Sequence, residues 1–159
     1  MDILEIEKII KNFLDLSFIG LSFKLPVYTE GDFYIIGVDY EDKIGVSHSN
    51  HSVYSLSEST LFINSSLNQL FDCLLFFTKN FDFQEEYSDT LRLEKLKTIK
   101  RHFLKIDTPC LDQNTWWSYI LEQVEEGYYS ITSAIHLDTC YIMRNFVQLS
   151  MVGNYNLLI

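Results

Sequence analysis

The stretch Leu61-Phe62-Ile63-Asn64-Ser65-Ser66-Leu67-Asn68-Gln69-Leu70-Phe71-Asp72-Cys73-Leu74 joins a short apolar run to the start of a helix. Leu61 to Ile63 is suited to a buried strand, and Ser66 followed three residues later by Gln69 forms the Ser-x-x-Gln pattern of a capping box. The next apolar residues recur at i, i+3, i+4 and i+7, which predicts one stripe along a helix: Leu67, Leu70, Phe71 and Leu74. A strand therefore runs directly into a helix that faces the core.

The polar trio Asn64, Ser65 and Ser66 lies where this strand ends and the helix begins. Three adjacent polar side chains could be mistaken for a catalytic group. The first turn of a helix, however, leaves backbone N–H groups in need of acceptors, which short polar side chains supply. We therefore predict that the trio caps the helix and acts on stability.

Three other β-rich segments come earlier in the chain: Phe33–Val38, Ile44–Ser47 and Val53–Leu56. The connections between them are short and polar, and short connections join antiparallel neighbours. Together with Leu61–Ile63, they predict a mainly antiparallel sheet of four or more strands.

Helical patterns stand before and after these strands. Asp2 with Glu5 three residues later predicts the start of a first helix, and Asn114 or Thr115 caps a last helix that stops at Gly127. The stripes of the two helices after Asp82–Asp89 are Leu96, Ile99, Phe103 and Ile106, and then Trp117, Ile120, Leu121 and Val124. The order of helix, four strands and three helices predicts a single α+β domain over residues 1–159, in which 128–159 shows no clean period and is left unassigned.

Four segments carry a resemblance to a known family: Phe33–Gly37, Ile44–Val46, Phe62–Leu67 with its helix, and Trp117 with its helix. On these segments, the chain resembles the SUKH superfamily, and within it the subgroup-four bacterial immunity proteins, over about residues 25–127. The resemblance implies a mainly antiparallel sheet with helices packed around it and no catalytic site. It also implies that the chain binds and neutralises a toxin domain of a polymorphic or contact-dependent system, commonly a nuclease or a nucleic-acid deaminase.

The net charge of −10 makes sequence-independent phosphate binding unfavourable and favours a basic partner. Six of the twelve positive charges fall between Arg92 and Lys105, where the one acid is Glu94. The rest of the chain then carries 6 positive against 21 negative charges. Toxin domains that hold phosphate backbones tend to be basic, so electrostatic attraction would bring such a partner to this chain.

The predicted partner-binding residues are acids in polar connections and one tryptophan: Asp39, Glu41, Asp42, Asp82, Glu85, Glu86 and Trp116. Asp39 to Asp42 surrounds a predicted turn, and Asp82 to Glu86 lies in a predicted loop, where interaction residues often gather. Trp116 is predicted at the flank of a core-facing stripe and is a candidate interface anchor, although partial burial against a loop would explain it as well.

Chemical motifs are weak. His48 and His51 form a pair three residues apart in a Ser- and Asn-rich loop, which favours solvent exposure over metal binding. Cys110 has no His placed beside it by the sequence, so a cysteine nucleophile is unsupported. The acidic turn matches no calcium loop, and a Gly-rich phosphate loop is absent from the sequence. We therefore expect no enzyme activity, no metal and no cofactor.

We expect a cytoplasmic protein that contacts neither membrane nor nucleic acid directly. The three cysteines contain no Cys-x-x-Cys pair, the N-terminus is acidic, and no apolar run is long enough to span a bilayer. Two other functions stay open at this point: a non-catalytic regulatory adaptor that binds a host protein, since scaffolds related to SUKH also serve as eukaryotic adaptors, and a small hydrolase with an unrecognised site. The identity of the toxin, the binding surface and the oligomeric state also stay open.

Overall fold

The computed structural model describes residues 1–128, and six strands of this part of the chain pair in sequence order into one antiparallel meander. The strands are β1 (Ser17–Phe18), β2 (Leu21–Glu30), β3 (Phe33–Asp39), β4 (Asp42–Ser47), β5 (Val53–Leu56) and β6 (Thr60–Asn64). Short connections allow each strand to pair with the next, as expected for antiparallel neighbours. The predicted α+β class with a mainly antiparallel sheet is confirmed.

Strands β1 and β2 were not predicted from the sequence. Strand β2 contains Pro26, which lacks a backbone N–H to donate to a neighbouring strand. Its register against β3 shifts between Phe23 and Tyr28, so the alternation of apolar and polar residues is broken around the proline. The four predicted strands are all present, and β5 has the predicted bounds while β3, β4 and β6 are longer by one to two residues.

The described part of the chain also contains two short 3-10 helices, Lys11–Phe13 and Thr108–Leu111, and four α-helices: α1 (Ile3–Ile10), α2 (Leu67–Asn80), α3 (Asp89–Ile106) and α4 (Trp116–Glu125). The predicted capping box at the start of α1 is confirmed, because Asp2 and Glu5 exchange hydrogen bonds of 2.9 and 3.0 Å between side chain and backbone. Thr115 caps α4, and Gly127 adopts the positive φ of +82° that ends a helix.

The helices cover one face of the sheet. Their apolar stripes meet Ile44, Val46 and Ile63 of the sheet in one core, as the spacing of the stripes predicts. Large rings fill its centre, where Phe103 and Trp117 are in edge contact with centroids 4.6 Å apart. No helix of residues 1–128 is both long and apolar enough to cross a membrane. The unassigned segment 128–159 lies outside the described residues from position 129 onward.

Candidate functional site

A buried carboxylate holds the junction between β6 and α2. Asp107, which follows the last residue of α3, is 4% exposed. Its Oδ2 accepts from the Ser65 backbone N–H at 2.7 Å and from Asn64 Nδ2 at 2.8 Å, and its Oδ1 accepts from Ser65 Oγ at 2.7 Å. Three hydrogen bonds to a charged acceptor compensate the cost of burying it.

The same junction reaches α4 through Asn64. This side chain is fully buried, and its Oδ1 accepts from the indole N–H of Trp117 at 2.9 Å. Its amide therefore donates to the end of α3 and accepts from α4, while its backbone belongs to β6. We call Asn64, Ser65, Asp107 and Trp117 the polar junction.

Ser66 caps α2 as predicted, but the capping box is incomplete. Its Oγ accepts from the Gln69 backbone N–H at 3.3 Å and donates to Gln69 Oε1 at 2.8 Å. The Gln69 amide nitrogen instead donates to the Ile106 carbonyl at 2.8 Å, which joins α2 to the end of α3. The prediction that all three residues of the trio cap α2 is thus wrong for Asn64 and Ser65, which bind Asp107.

The polar junction has the composition of a structural site. The Ser65 hydroxyl donates a hydrogen bond to the Asp107 carboxylate. The histidines in residues 1–128 make their contacts away from Ser65. His48 lies against the Tyr34 ring at 4.2 Å, His51 Nε2 lies 3.0 Å from the N-terminal amine, and His102 stacks on a phenylalanine of α2. A nucleophile and a base of the serine-hydrolase kind are therefore not brought together within these residues.

The two described cysteines lie next to each other inside the protein. Cys73 and Cys110 are both buried. The hydrogen bond with Cys73, together with burial, raises the pKa of the Cys110 thiol far above its ordinary value of 9.0. Since the thiolate is the nucleophilic form, Cys110 lacks the lowered pKa of a catalytic cysteine. No group of three or more metal-ligating side chains occurs in the part of the chain that the structure describes.

Two predicted interface residues are buried instead. Asp39 is 2% exposed and Trp116 is fully buried, and the Trp116 indole N–H donates to Asp39 Oδ2 at 2.7 Å. Asp39 is the last residue of β3 and pairs with Leu21, whose side chain lies in the core. The predicted positions of Asp39 at an exposed turn and of Trp116 at the flank of the core are therefore wrong, because each supplies the other with a buried hydrogen-bond partner.

The remaining predicted interface acids lie in two connections or directly beside them, since Asp42 is the first residue of β4. Glu41 is exposed and Asp42 half-buried at the turn between β3 and β4, and the exposed Asp82, Glu85 and Glu86 lie between α2 and α3. Asp82 also accepts a 2.8 Å bond from the backbone of the loop it belongs to. The pKa of Tyr87, in the same loop, is raised mainly by burial and also by a hydrogen bond with Glu85. Acidic side chains are therefore presented to solvent at Glu41, Glu85 and Glu86.

The basic segment predicted on α3 is partly engaged with its surroundings. Lys100 forms a 2.6 Å ion pair with Glu125 of α4, and Lys95 donates to the Asn80 carbonyl at 2.9 Å. Lys95 also lies 4.9 Å from the centre of the Tyr87 ring. These contacts fasten α3 to the ends of α2 and α4.

Comparison of the chain with models of known protein families found no match, and comparisons with curated proteins and with solved structures found none either. The resemblance to SUKH immunity proteins therefore stays a prediction.

Proposed function

We propose that this protein is an immunity protein that binds a basic toxin domain and neutralises it by covering its active cleft. The observation that supports this proposal best is that the side chains of the polar junction bind one another inside the fold. The polar side chains of Asn64 to Ser66, which carry part of the resemblance to the SUKH family, are all used inside the fold. Asn64 binds Asp107 and Trp117, Ser65 binds Asp107, and Ser66 caps α2. Their role is to hold the scaffold, which leaves the surface as the part that acts.

Charge supports a basic partner. The chain has a net charge of −10, and Glu41, Glu85 and Glu86 present their carboxylates to solvent in connections between elements. Attraction between such groups and a positive cleft speeds encounter, and this gain shrinks as salt screens the charges. The toxin classes that the resemblance implies, nucleases and nucleic-acid deaminases, require positive clefts to hold phosphates.

The direct test measures inhibition. A toxin-like domain encoded beside this protein's gene is purified, and its nuclease or deaminase activity is assayed with and without one equivalent of the protein. We expect loss of the toxin activity, formation of a stoichiometric complex, and no nuclease or deaminase activity of the protein alone. Unchanged toxin activity at a large excess of the protein would contradict the proposal.

A pair of matched variants tests the electrostatic part. Reversal of Glu41, Glu85 and Glu86 to lysine should slow association with the toxin domain at low salt while the melting temperature holds. The control reverses three other exposed acids, Glu94 of α3, Glu122 of α4 and Glu126 directly after α4, and changes the net charge equally. Equal slowing in both variants would mean that only the overall charge matters, and no slowing in either would place the contact elsewhere.

A further inference from the structure

A row of aromatic rings crosses the sheet on the face opposite the helices. The Phe33 and Tyr54 rings are in edge contact with centroids 5.8 Å apart, and Tyr54 makes the same kind of contact with Phe62 at 5.7 Å. The register places Tyr54 opposite Gly45 of β4 on one side and Phe62 of β6 on the other. We call Phe33, Tyr54 and Phe62 the outer aromatic row.

Gly45 leaves the space in which this row packs. A Cβ atom at Gly45 would lie 2.8 Å from Leu56 Cδ1 and 3.0 Å from Phe33 Cβ, so both side chains pack directly against the glycine. Gly45 also pairs with Ile35, which is 4% exposed and yet lies outside the core formed with the helices. The outer face therefore carries a second apolar layer that does not depend on the helices.

Within residues 1–128, this layer has no helix against it. The buried side chains of all four helices belong to the core on the other face, together with Ile44 and Val46 of β4. On the outer face Phe33 and Tyr54 are half-buried and Tyr28 is 47% exposed, while Phe62 at the edge strand also touches the core. Antiparallel sheets usually turn a polar face to water, so a partly exposed aromatic row on this face is typical of an interaction surface.

The charge around the row selects the partner. Between Glu30 and Asn64, the acids other than the buried Asp39 number five, against the single base Lys43, so the surface of this part of the sheet has a net charge of −4. Lys43 is itself held by Glu30 in a 2.6 Å ion pair. Exposed Glu41 and Glu58 lie in the β3–β4 and β5–β6 turns, which an antiparallel meander places at the same end of the sheet.

We propose that the outer aromatic row, together with Glu41 and Glu58, is the docking surface for a basic protein that presents arginine or lysine side chains. Guanidinium and ammonium groups bind the faces of aromatic rings, and nearby carboxylates pair with the same cations. Tyrosine is also among the residues that most often dominate binding at interfaces. This inference rests on the proposed function for the identity of the partner, which is then the toxin domain.

The test uses the full chain and a hexa-arginine peptide as the basic probe, with hexaglutamate as the control peptide. Amide chemical shifts are followed by two-dimensional NMR during the titration. We expect shifts concentrated at Phe33, Gly45 and Tyr54 with hexa-arginine and none there with hexaglutamate. Shifts confined to residues 82–86 or to α4 would overturn the inference, and so would an unresponsive outer face, as expected if residues 129–159 occupied it.

Variants at Tyr54, in the centre of the row, distinguish the contribution of the ring to binding from its contribution to folding. Tyr54→Ala should weaken binding of hexa-arginine about fivefold, the size of one cation–π contact. Tyr54→Phe keeps the ring and loses only the 3.1 Å bond from Asn50 Nδ2, so its affinity should stay within about twofold of the wild type. Glu58→Lys, at an exposed turn, should weaken binding without altering the melting temperature. Equal affinity for all three variants would overturn the inference.

The same variants distinguish this surface from the proposed function. If the wild type inhibits the toxin domain and Tyr54→Ala with Glu58→Lys inhibits it equally well, the docking surface is wrong and the immunity function stands. If the wild type leaves the toxin domain active while hexa-arginine still shifts the outer row, the surface stands and the immunity function fails.

Discussion

The indole nitrogen of Trp117 donates a 2.9 Å hydrogen bond to Oδ1 of Asn64, a residue 53 positions earlier in the chain. Both side chains are fully buried. The bond joins the end of β6 to α4 through the same amide that donates to Asp107. The loss of this one side chain should therefore affect three elements together.

Asn64→Ala should lower the free energy of unfolding by about 3 kcal/mol, because it leaves the Trp117 N–H without its acceptor and removes one donor from Asp107. Urea denaturation followed by tryptophan fluorescence measures the loss. Asn68→Ala, at an exposed position of α2, is the control and should stay within about 0.5 kcal/mol of the wild type. Equal stability of the two variants would mean that the polar junction contributes little.

Ser65 and Asp107 should be energetically coupled. The Ser65 hydroxyl donates to Asp107 Oδ1 at 2.7 Å, so a double-mutant cycle of Ser65→Ala and Asp107→Asn should give a coupling energy of about 1 kcal/mol. A second cycle that pairs Ser65→Ala with Asp112→Asn, at an exposed position after the end of α3, should be additive. Additivity in both cycles would argue against the bond seen here.

Ser66→Ala should cost about 1 kcal/mol of stability, the usual effect of losing an N-cap. Its hydroxyl accepts from the Gln69 backbone N–H at 3.3 Å, and alanine has no acceptor to replace it. Ser66→Thr keeps a capping oxygen and should recover most of the loss in a thermal melt. A Ser66→Ala variant of full stability that no longer inhibits the toxin domain would instead place Ser66 in the interface.

The buried thiol of Cys110 should make stability fall at alkaline pH. Its pKa is raised in the folded protein, so the unfolded chain releases the thiol proton first as the pH passes the ordinary value of 9.0. The stability that the protonated thiol contributes is fully present below pH 9 and should decline by about 1.4 kcal/mol for each pH unit above it. We therefore expect the wild type to lose unfolding free energy relative to Cys110→Ala above pH 9. Unfolding of both proteins measured from pH 7 to 10 gives this difference. A constant difference over this range would contradict the direction of the pKa shift.

Local signals in the sequence were sufficient for most of the elements. Apolar periodicity and caps predicted α1 to α4 and four of the six strands, because the period of a helix and the donors of its first turn depend on residues only a few positions apart. Strand β2 was not predicted, because Pro26 and the register shift break the alternation on which a strand prediction depends.

The interface prediction shows what local signals lack. A carboxylate at the end of a β-rich segment usually faces water, and this expectation holds for Glu41 beside its turn but not for Asp39. What keeps Asp39 buried is the N–H of Trp116, which arrives from 77 positions away. Sequence spacing carries no information about such a pairing.

By itself, the sequence determined the α+β order, the helix caps at Asp2 and Ser66, and the excess of acidic charge, since each depends on composition or on neighbours within about one turn. Tertiary structure alone decided that Asn64 and Ser65 bind Asp107, and that the outer aromatic row forms on the face of the sheet opposite the four helices. The physical reason is that a buried polar group needs a partner from wherever the fold brings one, and a cross-strand row exists only after the strands have found their register.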